Sequence, residues 1–221
     1  MPSTDEQTVT VVIPCRNEAE SIARVIDAVP AGFTALVVDN GSSDGTADAA
    51  RRAGATVIAE PRAGYGSAVH TGIAAARGDV VCTIDGDGSL DPADLPALVE
   101  AVRRGADLAV GRRRPASPDA WPWHARLGSA LVAARLRGRY GIDVHDIAPM
   151  RAARREPLLA LGITDRRSGY PVELLARAGA AGWRVVESPV RYGKRTGGRS
   201  KVSGSPAGSA RATIDFLRAA R

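Results

Sequence analysis

Asp85 and Asp87 stand two residues apart in the string Ile84-Asp85-Gly86-Asp87-Gly88-Ser89, directly after the apolar run Val80-Val81-Cys82-Thr83. Carboxylates at this spacing, on chain that is leaving a strand and with a glycine between them to let it turn, can both approach one hard cation through oxygen. A Mg2+ or Mn2+ ion gripped by so few protein ligands keeps open positions for a diphosphate. Asp and Gly also dominate ordinary turns, so the string taken alone reads equally well as a loop. It is not an EF-hand, because the position that should supply the closing Glu falls on Pro96.

A second concentration of charge lies near the other end of the chain. Arg191, Lys194, Arg195, Arg199 and Lys201 fall within residues 189–201 with no acid among them, and Lys194 and Lys201 are the chain's only lysines. On a segment loosened by Gly193, Gly197 and Gly198, such cations can close over a diphosphate, with Ser200 adding a donor. The alternative is a solvated basic loop. A nucleic-acid partner is disfavoured, since aromatic residues make up 4% of the chain and stacking platforms are correspondingly scarce.

These groups need a scaffold, and the first half of the chain supplies its pattern. Short β-rich runs at 8–14, 34–39, 55–60, 79–85 and 106–111 alternate with helical patterns near 18–29, 43–53, 66–77 and 92–104, the signature of βαβ units on a parallel sheet. Asp91 and Pro92 form a start signal for the last of these helices. After Gly111 come Arg112-Arg113-Arg114, a Pro/Ser stretch and an Arg-bearing helix at 123–137. A short strand near Val144, helices at 153–161 and 171–181, a strand at 183–192 and a final helix from about 207 complete the reading. The 221 residues therefore predict a single α/β domain, a Rossmann-like, mostly parallel sheet flanked by helices. The change of pattern after Gly111 is where a nucleotide half, residues 8–111, is expected to give way to an acceptor-side half, residues 112–221, that ends in the basic loop and a C-terminal helix.

The net charge of +6 and pI near 10.0 suit phosphates or an anionic surface as partners. Cys15 and Cys82 lie in apolar runs and read as reduced core thiols rather than a disulfide or zinc pair. The polar start lacks an apolar signal region, and no window approaches the ~20 apolar residues of a membrane span. These features predict a cytoplasmic protein without a transmembrane segment. Trp121, Trp123 and the helix through Arg137 offer a surface for peripheral contact with a membrane, although burial in the core is the other reading of those tryptophans.

Further segments carry a family resemblance. Val11-Val12-Ile13-Pro14-Cys15-Arg16-Asn17-Glu18 resembles the opening of family 2 glycosyltransferases, an apolar strand followed by Pro-x-x-Asn-Glu. Asp39-Asn40-Gly41-Ser42-Ser43-Asp44-Gly45-Thr46 is similar to that family's Asp-Asp-Gly-Ser-x-Asp-Gly-Thr, with Asn40 where the family has Asp. Gly64-Tyr65-Gly66 and His70 through Asp79 resemble the segment that leads into its metal motif. The order and spacing of all these segments agree with the family. Asp146 through Ala152 and Gly169-Tyr170-Pro171-Val172-Glu173 resemble later segments. Arg195, Gly198, Ser200 and Lys201 match the Arg-x-x-Gly-x-Ser-Lys loop of dolichol-phosphate mannose synthases and polyprenyl-phosphate glycosyl synthases. A rival is the haloacid dehalogenase phosphatase motif, in which Asp85 would be a nucleophile forming an aspartyl-phosphate.

The family resemblance implies a GT-A fold and inverting, metal-dependent transfer of a hexose from a UDP- or GDP-sugar. Under it Asp85 and Asp87 hold Mg2+ or Mn2+. Pro14, Arg16, Glu18, Asp39, Gly66, Asp85, Arg195, Ser200 and Lys201 bind the nucleotide sugar, while Asp44 caps a helix. Asp87 is also counted as catalytic. The expected acceptor is a polyprenyl phosphate, which needs no base; a small soluble hydroxyl acceptor is the alternative and would call on Glu173 or Asp146 as base. Either of those two carboxylates reads equally as structural, Glu173 through the dipole of the helix it opens.

Overall fold

The computed structural model describes residues 8–147, 149–196 and Phe216. Ser200, Lys201 and the helix expected from about 207 lie outside the described residues.

Strands β1 (Val9–Cys15), β2 (Phe33–Asp39), β3 (Thr56–Ala59), β4 (Val80–Thr83), β5 (Leu108–Pro115), β6 (Arg151–Arg154) and β7 (Val185–Tyr192) form one seven-stranded sheet. Its order is β3-β2-β1-β4-β6-β5-β7. Every pairing is parallel except those of β6, which runs antiparallel between β4 and β5. β1 is buried almost throughout because both faces of the sheet are covered, which is why its sequence is a continuous apolar run rather than an alternation. Val11 and Ile13 point to one layer and Val12 to the other.

Helices α1 (Ile22–Asp27), α2 (Thr46–Arg52) and α4 (Leu95–Arg103) cover the first face, and α3 (Tyr65–Ala75), α5 (Trp123–Tyr140), α6 (Arg155–Ala160) and α7 (Tyr170–Ala180) the second. In α4, Leu95, Leu98, Val99 and Val102 recur at helical spacing and are all buried, each such burial contributing about 1.5–3 kcal/mol. A 3-10 turn at Pro92–Asp94 precedes α4, and Asp91 Oδ1 accepts the Ala93 N–H at 3.0 Å, so the expected start signal holds.

The second half departs from the sequence reading. No strand forms near Val144. Instead Arg151-Ala152-Ala153-Arg154, the last two of which fall inside the helix expected at 153–161, is β6, and α6 starts only at Arg155. Ala and Arg favour helix, but the backbone edges of β4 and β5 must be paired, and β6 fills the slot between them. β5 also continues past Gly111 through the three arginines to Pro115, paired with β7 up to Tyr192. The strand thus runs straight across the predicted boundary between the two halves.

β1 is flanked by β2 on one side and β4 on the other, so the connections diverge there and the strand ends of β1 and β4 open a crevice. Open α/β sheets bind ligands at such a switch point.

The start of α3 depends on two glycines. A Cβ on Gly66 would stand 2.8 Å from the Asp165 carbonyl oxygen and 2.8 Å from the Arg166 carbonyl carbon, and Gly64 sits at φ +146° with its own Cβ position 2.2 Å from the Arg166 oxygen. The close approach lets Gly66 N–H donate to Arg167 O at 3.0 Å and Ser67 N–H to Arg166 O at 2.8 Å. Gly66→Ala must push rigid backbone aside, so a loss of about 1–3 kcal/mol is expected from urea unfolding midpoints. An unchanged midpoint would show that the 165–167 segment is free to move.

Candidate active site

At the end of β1, Pro14, Arg16 and Glu18 line a cavity of about 700 Å³, and Asp85 and Asp87 reach it from the end of β4. The acidic turn lies close against β1, since a Cβ on Gly86 would stand 2.5 Å from Cys15 Sγ. Ser21 Oγ ties the turn to the start of α1 by donating to Gly86 O at 2.7 Å. Asp87 is buried, at 2% exposure. Its Oδ1 accepts the Ser89 N–H at 2.8 Å, and its Oδ2 meets Arg195 Nη2 at 2.7 Å. Asp85 is half-buried and its carboxyl is pushed up to about 7 by burial and by the charge of Asp87, against the opposing fields of Arg195, Arg113 and Arg151.

Two hard oxygen ligands in mutual repulsion form a donor set suited to Mg2+ or Mn2+. Among the described residues no group of three His, Cys, Asp or Glu gathers to close a full cage. A cation held here would therefore keep coordination positions for substrate oxygens.

The other donor-side residues divide. Glu18 sits 4.0 Å from Arg195 Nη1. Asp39, expected to meet a base, accepts the Ser42 N–H at 3.1 Å, and its neighbour Asn40 is the one that lines the cavity. The Asn40 amide donates to Glu60 O and Arg62 O, both at 2.8 Å, and its oxygen accepts from Gly64 N at 2.8 Å. An ionised carboxylate could not donate those two bonds, so Asn in place of the family's Asp is what orders the loop before α3. Gly66 is not on the cavity; its N–H is spent on Arg167, and it holds the loop that presents Arg167 and Ser168 there.

Much of the β1–α1 and β2–α2 motif is structural. Asn17, at φ 57°, takes Ser43 N–H at 2.8 Å while its own N–H donates to Ser42 Oγ at 3.0 Å. Glu18 N–H donates to Thr46 Oγ1 at 2.8 Å. Asp44 was expected to cap α2, but the cap position is Gly45, which carries no side-chain cap bond; from the residue before it Asp44 accepts from Thr46 N and Ala19 N, both at 3.1 Å, and so clamps the two loops together.

The cavity is also lined by Arg113, which the sequence reading passed over as part of a charge run. Its guanidinium lies 3.9 Å from the Trp121 ring centroid and 5.3 Å from that of Tyr192. Nε and Nη2 donate to the two oxygens of Asp146 at 2.8 and 2.7 Å, and Ser129 Oγ adds a bond of 2.6 Å. Burial alone would raise the Asp146 carboxyl, but the charge and hydrogen bonds of Arg113 and the Ser129 hydroxyl outweigh it and hold the group below the usual carboxylate range. Arg167 and Lys194 bring further positive charge to the cavity, Lys194 paired with Asp119. The signal for Arg113 was present as the cation in a strand-edge run beside Trp121, but the partner Asp146 lies 33 residues away.

Two expected bases are thereby corrected. Asp146 holds Arg113 in place and, with a lowered pKa, is a poor proton acceptor. Glu173 faces away from the cavity onto a separate hollow beside Tyr140. Its oxygens accept Thr164 N at 3.0 Å, Asp165 N at 2.6 Å and Arg177 Nε at 2.6 Å. Burial pushes it up, yet these bonds hold it below its ordinary value. Trp121 is buried while Trp123 is 72% exposed, with Leu127 and Leu131 following on the same side of α5. Among the described residues no helix is long and apolar enough to cross a membrane.

An α/β sheet with an acidic pair at its switch point and several cations on the same cavity has the parts that a nucleotide-sugar-dependent glycosyltransferase needs. Residues 10–162 match glycosyl transferase family 2, and the chain belongs to that family. An uncharacterized glycosyltransferase of Mycobacterium tuberculosis strain H37Rv is 62% identical over 210 residues, 95% of this chain and 96% of the relative. A polyprenol monophosphomannose synthase of Mycolicibacterium smegmatis is 37% identical, with 90% of this chain and 82% of that one covered. Among solved structures, glucosyl-3-phosphoglycerate synthase from Mycobacterium tuberculosis with Mn2+, UDP and glucosyl-3-phosphoglycerate superposes with a TM-score of 0.73 at 25% identity, covering 97% of this chain and 80% of that one. The same enzyme with Mn2+, UDP-glucose and phosphoglyceric acid gives 0.73 at 26% identity over the same shares.

Family membership replaces the phosphatase reading. The acceptor expected from the basic loop is corrected by two of the solved structures, which hold UDP with glucosyl-3-phosphoglycerate and UDP-glucose with phosphoglyceric acid, not a polyprenyl phosphate.

Asp146→Asn would leave the Arg113 charge without its partner in a buried position and should cost about 3–5 kcal/mol at neutral pH. Because the folded pKa of Asp146 is depressed, its contribution is full above the unfolded value of about 3.9 and is lost as pH falls through the lower folded value. Chemical denaturation from pH 7 to pH 3 should therefore show the wild type and the variant converging in acid; a constant gap would contradict the assignment.

Proposed function

We propose that this glycosyltransferase moves a sugar from a UDP-sugar to a small soluble acceptor carrying a phosphate. The observation that carries the reading is the mixture of charges on one cavity. Asp85 and Asp87 share it with Arg113, Arg167, Lys194 and Arg195, so it offers a carboxylate pair for a cation and several cationic groups for phosphate. A volume of about 700 Å³ lies within the ~300–1,000 Å³ usual for small-molecule sites. The relatives solved with Mn2+, a uridine nucleotide and a phosphorylated three-carbon acid support the same pairing of ligands.

In this reading Asp85 and Asp87 hold Mg2+ or Mn2+, which when bound neutralises the charge gathering on the leaving diphosphate. Arg195, on its loop beside Asp87, adds a second donor to that diphosphate. Pro14, Arg16 and Glu18 form the wall on which the nucleotide rests. Arg113, held flat against Trp121 by Asp146, presents its remaining nitrogen to an acceptor phosphate. Arg167, carried by the loop that Gly66 braces, lines the same cavity. These cations orient the acceptor so that its hydroxyl, not its phosphate, faces the sugar. The hydroxyl oxygen bonds to the sugar carbon as the bond to the diphosphate breaks, and with Asp146 and Glu173 engaged elsewhere the hydroxyl proton goes to a diphosphate oxygen or to water.

Purified protein with MnCl2 should be incubated with UDP- and GDP-sugars, pairing each with phosphoglyceric acid, other small phosphorylated hydroxy compounds and polyprenyl phosphate. Release of UDP is expected with a small phosphorylated acceptor. Asp87→Ala should lower kcat by roughly 10²–10³, and Arg167→Met should raise KM for the acceptor while leaving that for the UDP-sugar in place. Turnover with polyprenyl phosphate alone, or none with any sugar nucleotide, would sink the reading.

A further inference from the structure

Building on the transferase reading above, we propose that Arg195 makes cation capture conditional on the sugar nucleotide: its guanidinium is the positive charge that Asp87 holds until a donor diphosphate arrives to receive it.

The two oxygens of Asp87 are both engaged, Oδ1 by the Ser89 N–H and Oδ2 by Arg195 Nη2 at 2.7 Å. Arg195 also leans on Glu18, 4.0 Å away from its other nitrogen. It thus bridges carboxylates carried by the ends of two neighbouring strands, where a bound cation would act. A divalent ion ligated through Asp87 would sit about 2.0–2.2 Å from the carboxylate oxygen. With Arg195 on that same oxygen, like charges would stand within a few ångströms in a cleft where water screens poorly. An ion arriving alone must therefore drive the guanidinium off.

The loop is built to let the side chain leave without coming loose itself. Gly193 N–H donates to Ser89 O at 2.7 Å and Thr196 N–H to Asp87 O at 3.0 Å, which anchors the backbone on both sides of Arg195. Gly88, at φ +74°, allows Thr196 Oγ1 to stand only 2.7 Å from where a Cβ would be. The Arg195 side chain is 30% exposed, and the cavity it borders is the way out. A diphosphate in that cavity offers charge to the ion and to the displaced guanidinium together. The exchange is unfavourable with metal alone and favourable with metal and nucleotide. By linkage each ligand then raises the affinity of the other by one common factor, and Arg195 enlarges that factor.

The test is calorimetric titration of MnCl2 alone, UDP alone and MnCl2 at saturating UDP into the wild type, Arg195→Met and Arg195→Lys, with free Mn2+ checked by electron paramagnetic resonance. In Arg195→Met, Mn2+ alone should bind roughly tenfold tighter and UDP more weakly, and the Mn2+–UDP coupling factor should fall by a similar ratio, a change within the usual range of site coupling. Arg195→Lys, which keeps a cation on the loop, should retain the wild-type order. A merely structural role would weaken both ligands together, so unchanged or weaker binding of Mn2+ alone in Arg195→Met overturns the proposal. Mn2+-assisted UDP uptake with equal coupling in all three proteins also overturns it, while leaving the transferase reading intact. No Mn2+-assisted uptake in the wild type would remove both.

Discussion

Two carboxylates on one short turn repel each other, and the cleft has to hold Asp85 and Asp87 together at a place partly shielded from water. Burial and the charge of Asp87 drive the Asp85 carboxyl toward protonation, while Arg195, Arg113 and Arg151 oppose that drive. Arg151 does so from inside the sheet. It opens β6 opposite Thr83, is 3% exposed and donates to Ile147 O at 3.0 Å. The antiparallel strand is thus more than a filler of backbone edges, since it brings a buried positive charge up to the acidic turn. Such a field favours the ionised form that can ligate a cation.

The cavity also holds a cation that is fixed in advance. Arg113 is locked by Asp146, Ser129 and the face of Trp121, so its position is set before any ligand arrives and little reorganisation is left for the bound state. In the proposed reading this preset charge serves the acceptor's phosphate, while the carboxylate pair serves the cation.

The loops at the strand ends beside the cavity are fixed by polar side chains that bond from one loop to another. Asn17, Asp44 and Thr46 join the turns after β1 and β2, and Asn40 orders the turn after β3. These bonds explain why a motif rich in Asn, Asp, Ser and Gly recurs at strand ends: small polar groups close several turns at once. Precision at the cleft then comes from loops braced against one another on a rigid sheet, not from any single loop.

The sequence by itself determined the parallel strands and the acidic pair, because apolar runs, helical spacing and a turn motif are local properties that adjacent residues express. It also made a local structural role of Asp44 at the start of α2 legible, since that carboxylate contacts a residue two positions on. Tertiary structure alone decided β6, whose Ala and Arg residues favour helix until β4 and β5 demand a partner between them. It decided the roles of Arg113 with Asp146 and of Glu173, since those pairings join residues far apart in the chain or turn a plausible base toward backbone N–H groups. Charge patterns in a chain state which groups are available; only the folded geometry states which of them neutralise one another and which remain to meet a substrate.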